Sequence, residues 1–317
     1  MILNLFLLVL GFVFLIKGAD IFVDSSSSAA LNFKVPKMFI GLTIVAFGTS
    51  APELAVSIKA IALGSSDMVI GNVIGSNILN ILLILGIGAM IKPIKIKDNT
   101  VKKELPICIL ISTLLVVLFM DTVLGDSAIN QITRADGIVL ILFFLIFIYY
   151  LVSLAKSDKM NQEEEKPQFK LGVSLLLIVV GLVGIVIGSN LVVNNASIIA
   201  SKLGVSERII SLTIIAFGTS LPELVTTIVS SRKGEQDLLV GNIIGSNIFN
   251  ICLVLGLPVA LFGSITAASF NVIDLIMIIL SPIILFWFSK TKKEILRGEG
   301  FAMLLLFFAY YILVFVL

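Results

Sequence analysis

The chain has 317 residues, 58% of them hydrophobic and only 13% charged, with a formal net charge of +2 and no histidine. Soluble domains carry about a quarter charged residues, so this composition excludes one, and the near-neutral balance gives no reason to expect a nucleic-acid partner. Lack of histidine excludes His-ligated zinc or copper and a His-based proton relay.

Apolar runs long enough to cross a bilayer recur along the chain. Taken in order they predict an all-α polytopic membrane protein with ten transmembrane helices. The first five are expected at 2–23, 37–63, 68–91, 104–121 and 134–155. The second five are expected at 169–191, 207–231, 238–262, 270–289 and 300–316. The first run lacks a basic leader and a small-residue cleavage site, which predicts a retained helix. Cys108 and Cys252 each stand alone inside a span, so they read as small core residues. The one long polar stretch, 156–168, divides residues 1–155 from residues 169–317. It is too short to fold alone as a domain, and its acidic run Glu163–Glu165 reads as a solvated connector.

The two halves repeat one another. Residues 41–86 (GLTIVAFGTSAPEL…GNVIGSNILNILLILG) and 211–256 (SLTIIAFGTSLPEL…GNIIGSNIFNICLVLG) agree at about 26 of 46 positions, at a constant offset of 170. Such repetition defines the architecture. The likeness extends weakly into the first helix of each half, where Gly11 matches Gly181, Gly18 matches Gly188 and Ala30 matches Ala200. Because five is odd, the second copy must begin from the opposite side of the membrane, which predicts two inverted five-helix repeats.

The basic residues agree with this topology. One set of loops holds Lys34, Lys37, Lys92, Lys95, Lys97, Lys102, Lys103, Lys156, Lys159, Lys166, Lys170, Arg232, Lys233, Lys290, Lys292, Lys293 and Arg297. The opposite set holds Arg134, Lys202 and Arg208. The positive-inside rule places the first set in the cytoplasm, and therefore both termini outside the cell membrane.

Within the repeat, Gly48 and Pro52 are expected to break the second span near its middle, and Gly218 and Pro222 do the same in the other copy. Broken backbone at membrane depth is tolerated only against protein or a wet cavity. Carbonyls freed around Ala46 and Thr49 then become candidate cation ligands. Thr49, Glu53 and Ser57 recur at i, i+4 and i+8, as do Thr219, Glu223 and Thr227, so each set shares one helix face. A carboxylate at such depth costs about 2.5–3.5 kcal/mol, and neither glutamate has a basic residue within four positions. An ion site explains this better than a protonated acid bonded to nearby backbone.

The next span opens with Gly71 and Gly75, a packing pattern, and with a polar stripe of Asn72, Ser76 and Asn80. Its copy is Asn242, Ser246 and Asn250. Asn77 and Asn247 lie off the stripe and are expected to bond to neighbouring backbone. Carboxylates, hydroxyls, amides and carbonyls are hard oxygen donors. Six to eight of them suit calcium; a smaller set holds sodium, and magnesium normally keeps waters.

Asp20 and Asp24 are expected at the membrane interface. Asp121, Asp126 and Asp136 read as solvated loop acids, Asp274 has no acidic counterpart, and Trp287, Tyr310 and Tyr311 read as interfacial anchors.

At these residues the sequence resembles the calcium/cation antiporter superfamily, in particular the prokaryotic sodium/calcium exchanger. GTSAPE and GTSLPE, each followed by GNxIGSN, look like its paired repeats. The resemblance implies that Glu53 and Glu223 bind a central calcium ion with the carbonyls of Thr49 and Thr219. Flanking sodium sites would use the carbonyls of Ala46 and Ala216, the hydroxyls of Thr49, Thr219, Ser76 and Ser246, and the same glutamates. Ser50 and Ser220 match positions that line the site, and Asn80 and Asn250 fall at the remaining central position. Several relatives carry aspartate where this chain has Asn250, and in potassium-dependent exchangers that acid is associated with potassium use. Asparagine therefore implies potassium-independent exchange.

The expected function is electrogenic sodium/calcium antiport by alternating access, with three sodium ions per calcium implied by the resemblance. Shared use of the glutamates would make sodium and calcium occupancy mutually exclusive. The glycine-rich first and sixth spans would be the sliding elements, again by resemblance. The transported ions are calcium and sodium; no cofactor, enzymatic activity or obligate protein partner is implied beyond the lipid bilayer. Proton/calcium or broader divalent exchange, a passive cation channel and a two-acid intramembrane enzyme are the alternatives.

Overall fold

The computed structural model describes residues 1–124, 129–157, 166–204, 216–266 and 272–316. Arg208, Asp126, Lys159, Glu163–Glu165 and the 211–215 segment of the second repeat lie outside them. Among the described residues the chain is helical apart from two two-residue ladders. Seven helices are long and apolar enough to cross a membrane: α1 (Ile2–Phe33), α4 (Ser66–Ile91), α6 (Arg134–Lys156), α7 (Leu171–Lys202), α9 (Gln236–Phe262), α10 (Val272–Lys292) and α11 (Arg297–Val316). An eighth span is made if α2 (Lys37–Thr49) and α3 (Ala51–Ala62), bent by 43° at their junction, count as one. Two further helices, α5 (Leu105–Leu118) and α8 (Leu221–Lys233), are shorter. The chain is thus a multi-pass membrane protein.

Two compact units are present, Met1–Pro52 with Ala155–Asn242 and Glu53–Leu154 with Ile243–Leu317. Each draws on both sequence halves.

In the first unit α1 and α7 are the frame. Both run 32 residues, about 48 Å at 1.5 Å per residue, and both outlast the apolar runs at 2–23 and 169–191. Asp20, Asp24 and Ser25–Ser28 end the hydropathy signal but contain no helix breaker. The Ser25 hydroxyl bonds back to the Ile21 carbonyl at 2.7 Å and stays within the helix. The stop signal comes later, where Lys34 adopts left-handed geometry (φ 56°) and Pro36 follows.

The glycines explain how closely α1 and α7 approach. A Cβ built on Gly181 would lie 2.7 Å from the Phe22 amide nitrogen and 2.8 Å from the Gly18 carbonyl oxygen, and one on Gly188 would lie 2.6 Å from the Leu15 nitrogen and 2.8 Å from the Gly11 oxygen. The pairs Gly11–Gly188 and Gly18–Gly181 are reciprocal with respect to the repeat. Around them Leu15, Ala19, Phe22 and Ile185 form a wholly buried core.

In the second unit α4 and most of α9 are the interior helices. Each switches to π-helical winding at matched positions, Leu79–Leu85 and Asn250–Leu255, a distortion that recurs at functional sites. The ladders join β1 (Ile94–Lys95) to β4 (Glu294–Ile295) and β2 (Gln131–Ile132) to β3 (Ile265–Thr266), all antiparallel. Close backbone contacts pair Gly86 with Gly300 and Gly137 with Gly256. These too exchange repeat-equivalent elements.

Candidate cation site

The break in the first repeat falls at Ser50. Pro52 follows at the second position of α3, where its missing N–H costs nothing. The consequence is that Glu53 lies in the first turn of a new helix, and Glu223 lies likewise in the first turn of α8 behind Pro222. Each carboxylate therefore meets the positive end of a helix dipole, which favours negative charge. Both are about 1% exposed.

In the first unit, hydrogen bonds join four of the expected residues, Ser50, Glu223, Thr49 and Ala46, to one another or to Asn242. Ser50 Oγ donates to Glu223 Oε1 at 3.4 Å. Thr49 Oγ1 donates to Asn242 Oδ1 at 2.9 Å. The Ala46 carbonyl, expected to be freed by the break, instead accepts from the Ser50 amide at 3.0 Å. The correction has a simple cause. Proline removes its own N–H, which would have reached Gly48 and not Ala46. In the second copy the carbonyl so released, that of Gly218, accepts from Ser189 Oγ at 2.9 Å; the equivalent of Ser189 in the first half is Ala19. Ser220 is buried and its carbonyl accepts from the Leu224 amide. Thr219 is half-buried, its hydroxyl without a hydrogen-bond partner among the described residues. Ala216 opens the short helical turn Ala216–Gly218.

In the second unit, Asn72 Nδ2 donates to the Glu53 carbonyl and to Ser57 Oγ, both at 3.2 Å. The polar stripe residues Ser76, Asn80, Ser246 and Asn250 are buried between 0 and 5% exposure. Asn77 and Asn247 do not bond to neighbouring backbone as expected. Asn77 Nδ2 donates to the Asn247 carbonyl at 3.2 Å, and Asn247 Nδ2 to the Asn77 carbonyl at 3.3 Å. Their own side-chain oxygens accept from Asn250 Nδ2 and Asn80 Nδ2, both at 3.1 Å. This ring of four amides commits the nitrogens of Asn80 and Asn250. The Oδ1 atoms of these two residues are buried with no hydrogen-bond partner among the described residues. A buried acceptor without a donor is costly, and a cation relieves that cost. The signal for this ring was present in the sequence as identical asparagines at offset 170, but reading each helix face separately concealed it.

The two copies are bonded differently despite their matched sequence. Asn72 holds Ser57, whereas Asn242 is engaged by Thr49, and its Nδ2 and the Oγ1 of Thr227, the counterpart of Ser57, lack partners among the described residues. No cluster of three Asp, Glu, His or Cys able to hold a metal occurs among the described residues. Neutral oxygens must then supply most of any coordination shell.

Several charges outside these sets have structural partners. Lys233 pairs with Asp20 at 3.3 Å and Asp24 at 2.8 Å, and Lys37 with Glu235 at 3.1 Å. Asp121 and Asp136 accept from the backbone amides of Gln131 and Thr133. Asp274 accepts from the Tyr310 hydroxyl at 2.6 Å. Sequence reasoning missed Glu104, a buried acid that accepts from the Tyr150 hydroxyl.

Comparison with known proteins identifies relatives along almost the whole chain. The family model for sodium/calcium exchanger protein matches residues 3–153 and 173–316. A putative antiporter, CaxA of Alkalimonas amylolytica, is 41% identical over 98% of each chain. The sodium/calcium exchanger MaX1 of Methanosarcina acetivorans is 33% identical, again over 98% of each. A solved structure of the sodium-calcium exchanger NCX_Mj, soaked with sodium and strontium, superposes with a TM-score of 0.84 at 32% identity, covering 100% of this chain and 98% of that one. The chain belongs to the sodium/calcium exchanger family.

Proposed function

We propose that this protein exchanges sodium for calcium across the cell membrane by alternating access, electrogenically and without potassium. Family membership supports cation/calcium antiport as such. The finer reading is carried by the amide ring, in which Asn250 is locked as a neutral acceptor. A neutral residue there leaves Glu53 and Glu223 as the two formal charges, enough to balance one calcium ion. Thr49, Thr219, Ser50, Ser220, Ser76, Ser246, Asn80 and Asn250, with the carbonyls of Ala46 and Ala216, complete the proposed ligand set. Calcium and sodium would then compete for the glutamates.

The architecture proposed for this activity is ten helices in two inverted repeats, residues 1–155 and 169–317, joined by the cytoplasmic segment 156–168 and with both termini outside. Reciprocal pairing supports it: Gly11–Gly188 with Gly18–Gly181, Gly86–Gly300 with Gly137–Gly256, and β1–β4 with β2–β3. Exchange of equivalents is what a two-fold relation between repeats produces. Alternating access requires the two halves to differ at any moment, and the unequal bonding of Asn72 and Asn242 supports that.

The test is calcium flux into proteoliposomes with the sodium, potassium and proton gradients imposed one at a time. A sodium gradient alone should drive uptake, removal of potassium should leave it unchanged, and clamping the membrane potential should alter its rate. Uptake driven by a pH gradient without sodium would favour proton/calcium exchange instead.

A further inference from the structure

We propose that the second unit carries a pocket for the phosphate of an acidic phospholipid headgroup, formed where the chain entering α5 meets the C-terminal end of α10. A cavity of about 340 Å³ lies there. Its basic residues are Lys102, Lys290 and Lys293, and its single acid is Asp98. Val101, Pro106 and Phe286 supply an apolar wall beside them. The inference rests on α10 spanning a bilayer and not on the antiport reading.

Ser289 is the observation that points to a ligand. It lines the cavity, is wholly buried, and its Oγ has no hydrogen-bond partner among the described residues. A buried hydroxyl without a partner is unfavourable, and a phosphate oxygen in the cavity would accept from it. The lysines supply the complementary charge. Lys293 is held by Asp98 at 2.7 Å, and this contact keeps the Asp98 carboxyl below its ordinary range. Lys102 and Lys290 form no ion pair among the described residues, although the Lys290 ammonium lies 5.8 Å from the Phe286 ring centroid, within cation–π range. Three ammonium groups against one carboxylate leave an excess of positive charge at the pocket.

The pocket is preformed by its backbone. The β1–β4 ladder ties the 94–95 segment to the 294–295 segment. The Ile96 amide donates to the Lys293 carbonyl at 2.8 Å, and Lys293 itself turns the chain in left-handed geometry at φ 54°. Lysines are thereby presented from two segments 188 residues or more apart, Lys102 from one and Lys290 and Lys293 from the other.

Phosphate chemistry is shared by lipid headgroups and free phosphate, and two features favour the lipid. Trp287, two residues before Ser289, is 68% exposed near the end of an apolar helix, the position of an interfacial anchor. The apolar wall suits a glycerol and acyl chain and offers nothing to a free anion. Basic pockets between helices at this level are a recurrent mode of lipid recognition.

The experiment is native mass spectrometry of the full chain in detergent, titrated with phosphatidylglycerol, phosphatidylcholine or inorganic phosphate. A saturable phosphatidylglycerol adduct is expected, with phosphatidylcholine binding weakly. Each neutralised lysine should weaken binding about fivefold, so Lys102→Gln with Lys290→Gln should weaken it about 25-fold. Lys290→Arg should retain binding, Ser289→Ala should reduce it, and Asp98→Asn should strengthen it. The last variant keeps the test decisive if the lysine variants do not fold. Equal adducts of both lipids, or phosphatidylglycerol binding unchanged in the lysine and Asp98 variants, would overturn the site. Displacement of the lipid by equimolar inorganic phosphate would overturn the assignment to a headgroup.

Discussion

Asn77 and Asn247 each donate a side-chain amide to the other's backbone carbonyl, at 3.2 and 3.3 Å, across the interior of one compact unit. Neither residue is in the proposed ligand set. Their effect is to fix Asn80 and Asn250, which are, by consuming the amide nitrogens and leaving the oxygens as acceptors. The Oδ1 atoms of Asn80 and Asn250 are therefore each oriented by a residue of the other sequence copy.

Asn77→Ala should accordingly impair transport without touching a proposed ligand. Outer partners that orient metal ligands are typically worth about 10–100-fold in affinity, so the calcium KM of exchange is expected to rise by that order. Asn77→Asp retains an acceptor for Asn250 Nδ2 and should be the milder change. Measuring KM for both variants in proteoliposomes checks the ordering, and an unchanged KM in Asn77→Ala contradicts the positioning role.

The α1–α7 contact gives a stability prediction with its own control. At Gly181 an added methyl meets backbone on α1 at 2.7–2.9 Å, while at Gly172, on the same helix, nothing lies within 4 Å. Gly181→Ala should destabilise the protein by about 1–3 kcal/mol through overpacking. Gly172→Ala should be neutral or slightly stabilising, since alanine is the better helix former. Thermal unfolding of the two variants in detergent compares them directly.

Tyr150→Phe is expected to cost about 1–3 kcal/mol, because it removes the hydroxyl that bonds the buried Glu104 carboxyl. Glu104→Gln, which keeps an acceptor for Tyr150, should cost less. A lower unfolding temperature for Tyr150→Phe than for Glu104→Gln is the expected result.

These residues also show how far the sequence could be read. The duplicated GTS-PE and GNxIGSN segments were enough to single out Glu53, Glu223, Asn80 and Asn250, because a charge or polar stripe inside an apolar run has few structural explanations. Pro52 and Gly48 foretold the break, and the bend of 43° follows it. What proline also does, placing each glutamate in a first helical turn, required knowing where the new helix begins. The end of α1 was placed ten residues early, since hydropathy fades at Asp20 and Asp24 while helix-compatible residues continue to Phe33. Contacts between distant segments were not legible: the Asn77–Asn247 exchange, the Tyr150–Glu104 bond and the Ser289 cavity each join or line elements whose adjacency is set by packing.

The most direct measurement is sodium-gradient-driven calcium uptake by proteoliposomes containing wild type, Glu53→Gln or Glu223→Gln at matched protein content. Each glutamine is nearly isosteric but removes one of the two charges proposed to balance calcium. Uptake should fall to the level of protein-free liposomes in both variants. Uptake that persists in either one at close to the wild-type rate would contradict the paired-carboxylate site.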